Sequence, residues 1–314
     1  MQRTFQFLVD EIPRRQRLDR FLYERIGIVS RMFLSNLLLE NQVFVDGTPQ
    51  PGGYQLQTGE QIELTFDADT ATAMTPEDLP LDILFEDAEI LVINKPAGML
   101  VHPTKQIKTG TLANALAFHL NQKMLEATSY EGKNELQSKI QNLQSKIMIR
   151  PGLVHRLDKQ TSGLMVVAKT SRAHRILSSH FERKLIKKVY LAIVENVVLE
   201  DSGIIDAPIG RTEAKPHWQA LANGKAAQSH FRVLERRAKT TFLELEPITG
   251  RTNQLRIHCA LIGHPIVGDN WYGGREYRRL CLHAAKLAFF HPNGDWLEFT
   301  TDLPNFDLTD KLRF

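Results

Sequence analysis

The sequence predicts an α+β fold, with a mixed or antiparallel sheet domain preceded by a small helix-helix-hairpin domain. Three observations carry that expectation. Short apolar, β-branched runs recur between residues 90 and 245 with few helical stretches among them, which favours α+β over regular βαβ alternation. Residues 17–38 hold two closely spaced amphipathic patterns, followed at once by strand signals. Between these regions, DADTATAMTPEDLPLD at 67–82 is acidic, small and proline-bearing without apolar periodicity, the composition of a linker.

In the first region, Leu18, Phe21, Leu22 and Ile26 share one helical face, and after Ser30, a natural N-cap, Phe33, Leu34, Leu37 and Leu38 repeat the pattern. Val43, Phe44 and Val45 form a strand into an Asp46-Gly47 turn, and Gln61–Phe66 forms another after Thr58-Gly59-Glu60. The order RLDRFL, SRMFLSNLL, NQVFVDG, LQTGEQIEL resembles the S-four type of RNA-binding module. That pattern usually has Gly before the first strand and Asn in the turn, where this chain has Asn41 and Asp46, residues that tolerate the same left-handed backbone. The resemblance makes Arg17, Arg20, Arg25 and Arg31 the candidates for phosphate; salt bridges to Asp19 and Glu24 are the competing use.

In the second region, strands are expected at Ile90–Ile93, Leu164–Ala168, Val189–Val194 and Phe242–Leu245, and a helix at 252–262 ending at Gly263. The expected division is therefore 1–66, a linker at 67–82, and 83–314, with a polar insertion at about 121–148. Within that insertion LQSKI occurs twice, placing Leu136, Ile140, Leu143 and Ile147 at heptad positions, too few heptads for a stable coiled coil.

With 314 residues, 42% of them hydrophobic and 24% charged, the chain is long enough for two domains and is not a disordered tail. Net charge is only +3, yet residues 151–190 hold nine Lys or Arg (Arg156, Lys159, Lys169, Arg172, Arg175, Arg183, Lys184, Lys187, Lys188) against Asp158 and Glu182. Such a local excess attracts phosphate, or is a solvated helix face. Two cysteines cannot staple a secreted scaffold, and neither a signal-peptide core nor a bilayer-length apolar run is present, so the cytoplasm is the expected compartment.

The segment His155-Arg156-Leu157-Asp158-Lys159-Gln160-Thr161-Ser162-Gly163 puts an acid, three cationic or titratable neighbours and a flexible turn just before the apolar strand LMVVAK. Alone, Asp158 reads first as a turn or cap residue. HRLDKQTSG followed by KKVYLAIV and ITGRTNQLRIHCALIGHPIVGDNWYG, with NKPAGMLVHP upstream, resembles the RluA family of pseudouridine synthases over about residues 80–300. The resemblance implies a mixed-sheet catalytic core that isomerises uridine to pseudouridine in structured RNA without a cofactor or metal.

Carried over by motif, Asp158 is the essential aspartate, Tyr190 the active-site tyrosine, and Arg256 the aspartate's basic partner, expected to lower its pKa and keep it ionised. Arg156 is expected to contact RNA as the target base leaves the stack, with Lys184, Lys187 and Lys188 anchoring phosphate beside Tyr190. Asn253 stands where the family usually has histidine; both side chains donate hydrogen bonds. Lys95-Pro96-Ala97-Gly98 reads as a structural turn shaping the cleft, and Gly268-Asp269 with Tyr272-Gly273 as a loop near it.

Within the family that the chain resembles, an N-terminal module of this type accompanies enzymes acting on large-subunit ribosomal RNA, which makes that RNA the expected substrate, with transfer RNA second and a monomer the simplest assembly. The rival classes are weaker. His258, Cys259, His264, Cys281 and His283 offer metal-ligand types without zinc spacing. A nucleoside glycosidase requires two paired carboxylates, where the motif supplies one. A non-catalytic RNA-binding assembly factor is set against the intact trio Asp158, Tyr190 and Arg256.

Overall fold

The computed structural model describes residues 2–10, 16–26, 31–67, 76–104, 106–129, 151–212, 217–302 and 306. The heptad repeat at 136–147, residues 68–75 of the linker and the Ser30 cap therefore lie outside the described residues. The chain forms two compact units, one of residues 1–80 with 102–151 and one of 81–101 with 152–314. The sequence-based division differs in leaving 102–151 with the second region.

The first unit opens with β1 (Gln2–Leu8), then α1 (Leu18–Arg25), α2 (Arg31–Leu39), β2 (Val43–Val45), β3 (Thr48–Pro49) and β4 (Gln61–Asp67). The strands form an antiparallel sheet in the order β1-β4-β2-β3. The helical faces read from the sequence are the buried ones: Leu18, Phe21, Leu22, Ile26, Leu34, Leu37 and Leu38 meet Val43, Ile62 and Leu64 in one core. Strand β1 is an addition, held by Phe5 stacking on Phe66 and by Phe7 buried beside Phe21. Asn41 and Asp46 both have positive φ, 55° and 46°, the left-handed backbone anticipated for them. The unit also holds α3 (Leu112–Ser129), entered through reciprocal Thr111 and Asn114 hydrogen bonds like those of a capping box.

The second unit is built on ten strands: β5 (Ile83–Glu86), β6 (Ile90–Lys95), β7 (Gly152–Leu153), β8 (Ser162–Ala168), β9 (Lys187–Glu195), β10 (Ser202–Asp206), β13 (Gln228–Arg236), β14 (Thr240–Pro247), β15 (Leu282–Phe290) and β16 (Trp296–Thr300). The small pair β11 (Ile209–Gly210) and β12 (Gln219–Ala220) stands apart. The helices are α4 (Ser171–Glu182) and α5 (Gln254–Leu261). The main path runs β10-β13-β14-β9-β15-β8-β6-β5, so the fold is the expected α+β with a mixed sheet.

Strand β8 is buried at all seven positions, as its unbroken apolar run requires, and β14 alternates between buried and half-buried residues. Every pairing is antiparallel except β8 with β15, joined at His283–Ser162 and Ala284–Gly163. Gly163 makes that contact possible: its φ is +119°, and a Cβ there would strike the Ala284 backbone. Because β8 follows the Asp158 loop and β9 carries Tyr190, the β8-β15-β9 stretch sets the two side by side across one intervening strand.

Candidate active site

The loop between β7 and β8 owes its shape to His155. Its Nε2 accepts a hydrogen bond from Val166 N at 3.0 Å, and its ring stacks on Phe181 at 4.5 Å. Burial pushes the His155 pKa down to about 3, so the imidazole stays neutral and can keep accepting. The turn is closed by Thr161 N donating to the Asp158 carbonyl at 3.1 Å. The Asp158 backbone thus makes the turn, and its carboxylate faces the cleft.

Lys95, at the end of β6, is fully buried, and its ammonium donates to the carbonyls of Pro96, Met99 and Lys159 at 2.8, 2.9 and 3.3 Å. It therefore ties the expected Lys95-Gly98 turn to the Asp158 loop, reinforced by Gly98 N donating to Lys159 O at 2.8 Å. Burial lowers its pKa to about 8, with the Asp158 charge opposing and Arg279 assisting. Behind the loop, Ser162 Oγ meets His283 Nδ1 at 2.8 Å and receives Arg279 Nη2 at 2.5 Å, while His283 Nε2 meets Thr301 Oγ1 at 2.8 Å.

Arg256 projects from α5. Its Nε and Nη2 donate to both oxygens of Asp269 at 2.7 Å, its Nη1 donates to Asn253 Oδ1 at 3.2 Å, and the same Nη1 lies 3.8 Å from Asp158 Oδ2. Tyr272 and Trp271 pack against the guanidinium, their ring centres 5.0 and 5.7 Å from Cζ. Asn253 has φ 55° at the start of the helix and donates through Nδ2 to the Tyr272 hydroxyl at 3.0 Å. Asn253 thus acts as a hydrogen-bond donor here.

These contacts correct one expectation. The Asp158 pKa is raised, not lowered: burial is the largest influence, Arg256 and Arg156 oppose it, and the Asp269 charge adds to it. Arg256 does not win because its two best donors are committed to Asp269, leaving a 3.8 Å approach without a hydrogen bond.

Asp158, Arg156, Lys184, Lys188, Tyr190 and Arg256 all line one cleft of about 600 Å³. Lys188 and Tyr190 are two apart on β9 and so share a face; Lys187 points the other way and is exposed. Burial, and then the Asp158 charge, raise the Tyr190 pKa, so the phenol is neutral. Burial lowers that of Lys188, with Glu246 opposing. Lys184 has φ 58° just past α4; its N–H donates to Phe181 O and that of Leu185 to His180 O, the two bonds of a Schellman motif. In the first unit, Arg17 pairs with Asp19 at 2.6 Å and Arg20 with Glu24 at 2.9 Å, both exposed; the side chain of Arg31 lies outside the described residues.

The residues of the metal-site rival are separately occupied: His258 with Ser229 and Ala207, His264 with the Glu195 carbonyl, and His283 with Ser162 and Thr301. Asp269 is the functional residue that sequence reading undervalued. Its signal was the preceding Gly268, whose φ of +81° and tight approach to Arg279 O fix the loop that presents the carboxylate to Arg256.

A partly buried carboxylate thus lies beside a braced arginine and a neutral tyrosine, in a cleft edged with lysine and arginine. Residues 89–261 match the model of the RNA pseudouridylate synthase family. An uncharacterised RNA pseudouridine synthase of Bacillus subtilis, YlyB, is 37% identical, with 96% of each chain covered. The ribosomal large subunit pseudouridine synthase D of Pasteurella multocida is 37% identical over 92% of this chain and 88% of its own. Among solved structures, human RNA pseudouridylate synthase domain containing 4 is 26% identical, with a TM-score of 0.55 over 72% of this chain and 89% of that one. The chain belongs to the RNA pseudouridylate synthase family, and it is an RNA pseudouridine synthase of the RluA group.

Proposed function

We propose that Asp158 is the catalytic carboxylate and that the cleft receives a uridine flipped out of a structured RNA. The observation that carries this is the placement of Asp158: its carboxylate lines the cleft with Tyr190 and Arg256, while only its carbonyl serves the turn. In the isomerisation the C1′–N1 bond breaks, uracil turns, C5 bonds to C1′, and the proton leaving C5 is balanced by one taken up at N1. Asp158 stabilises or attacks C1′ as positive charge develops there. Arg256, rigidly held by Asp269, orients the carboxylate. Tyr190, a neutral phenol, offers a stacking wall for uracil.

Taking a base out of a stack costs a few kcal/mol, which phosphate contacts offset. Arg156, Lys184 and Lys188 edge the cleft and fit that role; Lys187 on the opposite face serves RNA passing outside it. Residues 1–66 are read as an RNA-binding domain of the S-four type, with Arg17, Arg20 and Arg31 exchanging carboxylate partners for phosphate. The substrate read from relatives named for the ribosomal large subunit is large-subunit ribosomal RNA, modified in the cytoplasm. Transfer RNA is the alternative. Among the described residues, no helix is long and apolar enough to cross a membrane.

The test is pseudouridine mapping of total RNA from cells lacking the protein, complemented with the wild type or with Asp158→Asn. Sites lost on deletion and restored by the wild type alone establish the catalyst and name the substrate. Restoration by Asp158→Asn overturns the assignment of Asp158, and restored sites lying in transfer RNA overturn the ribosomal reading.

A further inference from the structure

Trp271 is 69% exposed, whereas Trp296 and Phe290, which lean on each other far along the chain, are 47% and 44% exposed. No other described Phe, Tyr or Trp is as open. An indole face left in water is unfavourable, yet this one is held in place from its inner side. Its backbone N–H donates to Asp269 Oδ1 at 3.2 Å, the carboxylate that also grips Arg256, and its ring lies 5.7 Å from the Arg256 guanidinium. His217 meets it in a T-shaped contact at 5.5 Å. The next residue, Trp218, carries the Arg211 guanidinium 5.3 Å from its ring centre and accepts the Tyr272 hydroxyl at 2.9 Å through its carbonyl.

Aromatic rings alternating with guanidinium groups, fixed before any ligand arrives, are what a single-stranded nucleic acid requires. Every base has a π face to stack, and every nucleotide brings a phosphate to neutralise. The position is as informative as the composition. Arg256 lines the Asp158 cleft on one side and supports Trp271 on the other, so the open indole stands one side chain away from the flipped uridine.

We propose that Trp271, with Arg211 and Trp218 beside it, is a stacking subsite for an unpaired nucleobase flanking the target uridine. The inference rests on reading the Asp158 cleft as the reacting site. It implies that the enzyme prefers a target whose neighbour is also unpaired, because a neighbour held in a duplex cannot reach the indole.

The test is titration of the full chain with oligouridylate at low salt, in an Asp158→Asn background that prevents turnover, followed by tryptophan emission and anisotropy. The same titration is made with Trp271→Phe and Trp271→Ala, and with an oligonucleotide carrying abasic residues. Stacking predicts quenching by oligouridylate, an affinity loss of about 5- to 100-fold for Trp271→Ala, a much smaller loss for Trp271→Phe, and no difference among the variants on abasic RNA. Unchanged affinity of Trp271→Ala overturns the proposal. So does a change in self-association with RNA binding intact, which makes the surface a protein contact. A fall in turnover number alone, with Asp158 restored and affinity unchanged, also overturns it and makes Trp271 a prop for Arg256. Turnover by Asp158→Asn refutes the cleft reading separately, because the stacking titration does not depend on catalysis.

Discussion

Arginine–carboxylate pairs appear in both units of this protein and do different things. Arg17–Asp19 and Arg20–Glu24 lie on the surface of α1, where water and salt screen each charge and a phosphate can replace the acid. Arg256–Asp269 has the same short distance but is buried: the Asp269 side chain is wholly enclosed and both of its oxygens are used. In water such a pair holds cations ready for exchange. Inside, it converts an arginine into a fixed part, so the rise that burial imposes on the pKa of its neighbour Asp158 is left under-compensated. Geometry alone, at 2.6–2.9 Å in every case, does not separate the two kinds of pair; burial does.

The largest effect expected is from Asp158→Asn. Turnover should fall by at least about 1,000-fold while RNA affinity stays within a few-fold. The fold should become slightly more stable, because a carboxylate whose native pKa is raised destabilises the native state once ionised; that penalty fades as pH falls through the raised native value toward 3.8. Thermal unfolding of parent and variant across this acid range, converging at its lower end, checks the sign.

Asp269→Asn comes next and breaks the comparison directly. Loss of a buried charged partner should cost about 3–5 kcal/mol of stability. It should also move the acid limb of kcat/KM to lower pH, since a negative charge is removed near Asp158 and Arg256 Nη groups become free to bond it. An acid limb that stays in place would show that Arg256 is already fully engaged with Asp158.

Tyr190→Phe measures whether the ring or the hydroxyl acts. A stacking wall predicts a loss of no more than about 10-fold, with Tyr190→Ala far worse; a loss as complete as that of Asp158→Asn would show that the hydroxyl carries a proton. Lys184→Gly should raise stability by about 1 kcal/mol by relieving the left-handed backbone, and should weaken RNA binding with a shallower salt dependence. The smallest change should come from Arg20→Ala: a few-fold weaker RNA binding at low salt, vanishing at high salt, with kcat unaltered.

Much of this was legible in the residues. The faces of α1 and α2, the strands around 90, 164, 189 and 242, the helix ending at Gly263 and the left-handed Asn41 and Asp46 follow from local pattern and backbone preference. What escaped was non-local. Strand β1 is held by its ladder with β4 and by Phe5 stacking on Phe66, some sixty residues along the chain, and β15 is placed by pairing with β8 and β9. The reversed pKa shift of Asp158 was illegible for the same reason: it turns on how deeply a carboxylate is buried and on which acid claims Arg256, and neither is written in the spacing of HRLD or QLR.

The order of strands has a mechanical consequence. The Asp158 side of the sheet, β8-β6-β5, and the Tyr190 side, β9-β14-β13-β10, are bridged by β15. Its parallel register with β8 runs through His283–Ser162 and Ala284–Gly163, whereas its antiparallel register with β9 extends from Leu282–Ala192 to Ala288–Lys187. A substitution that loosens β15 therefore changes the spacing of the carboxylate and the phenol while each half of the sheet stays paired within itself.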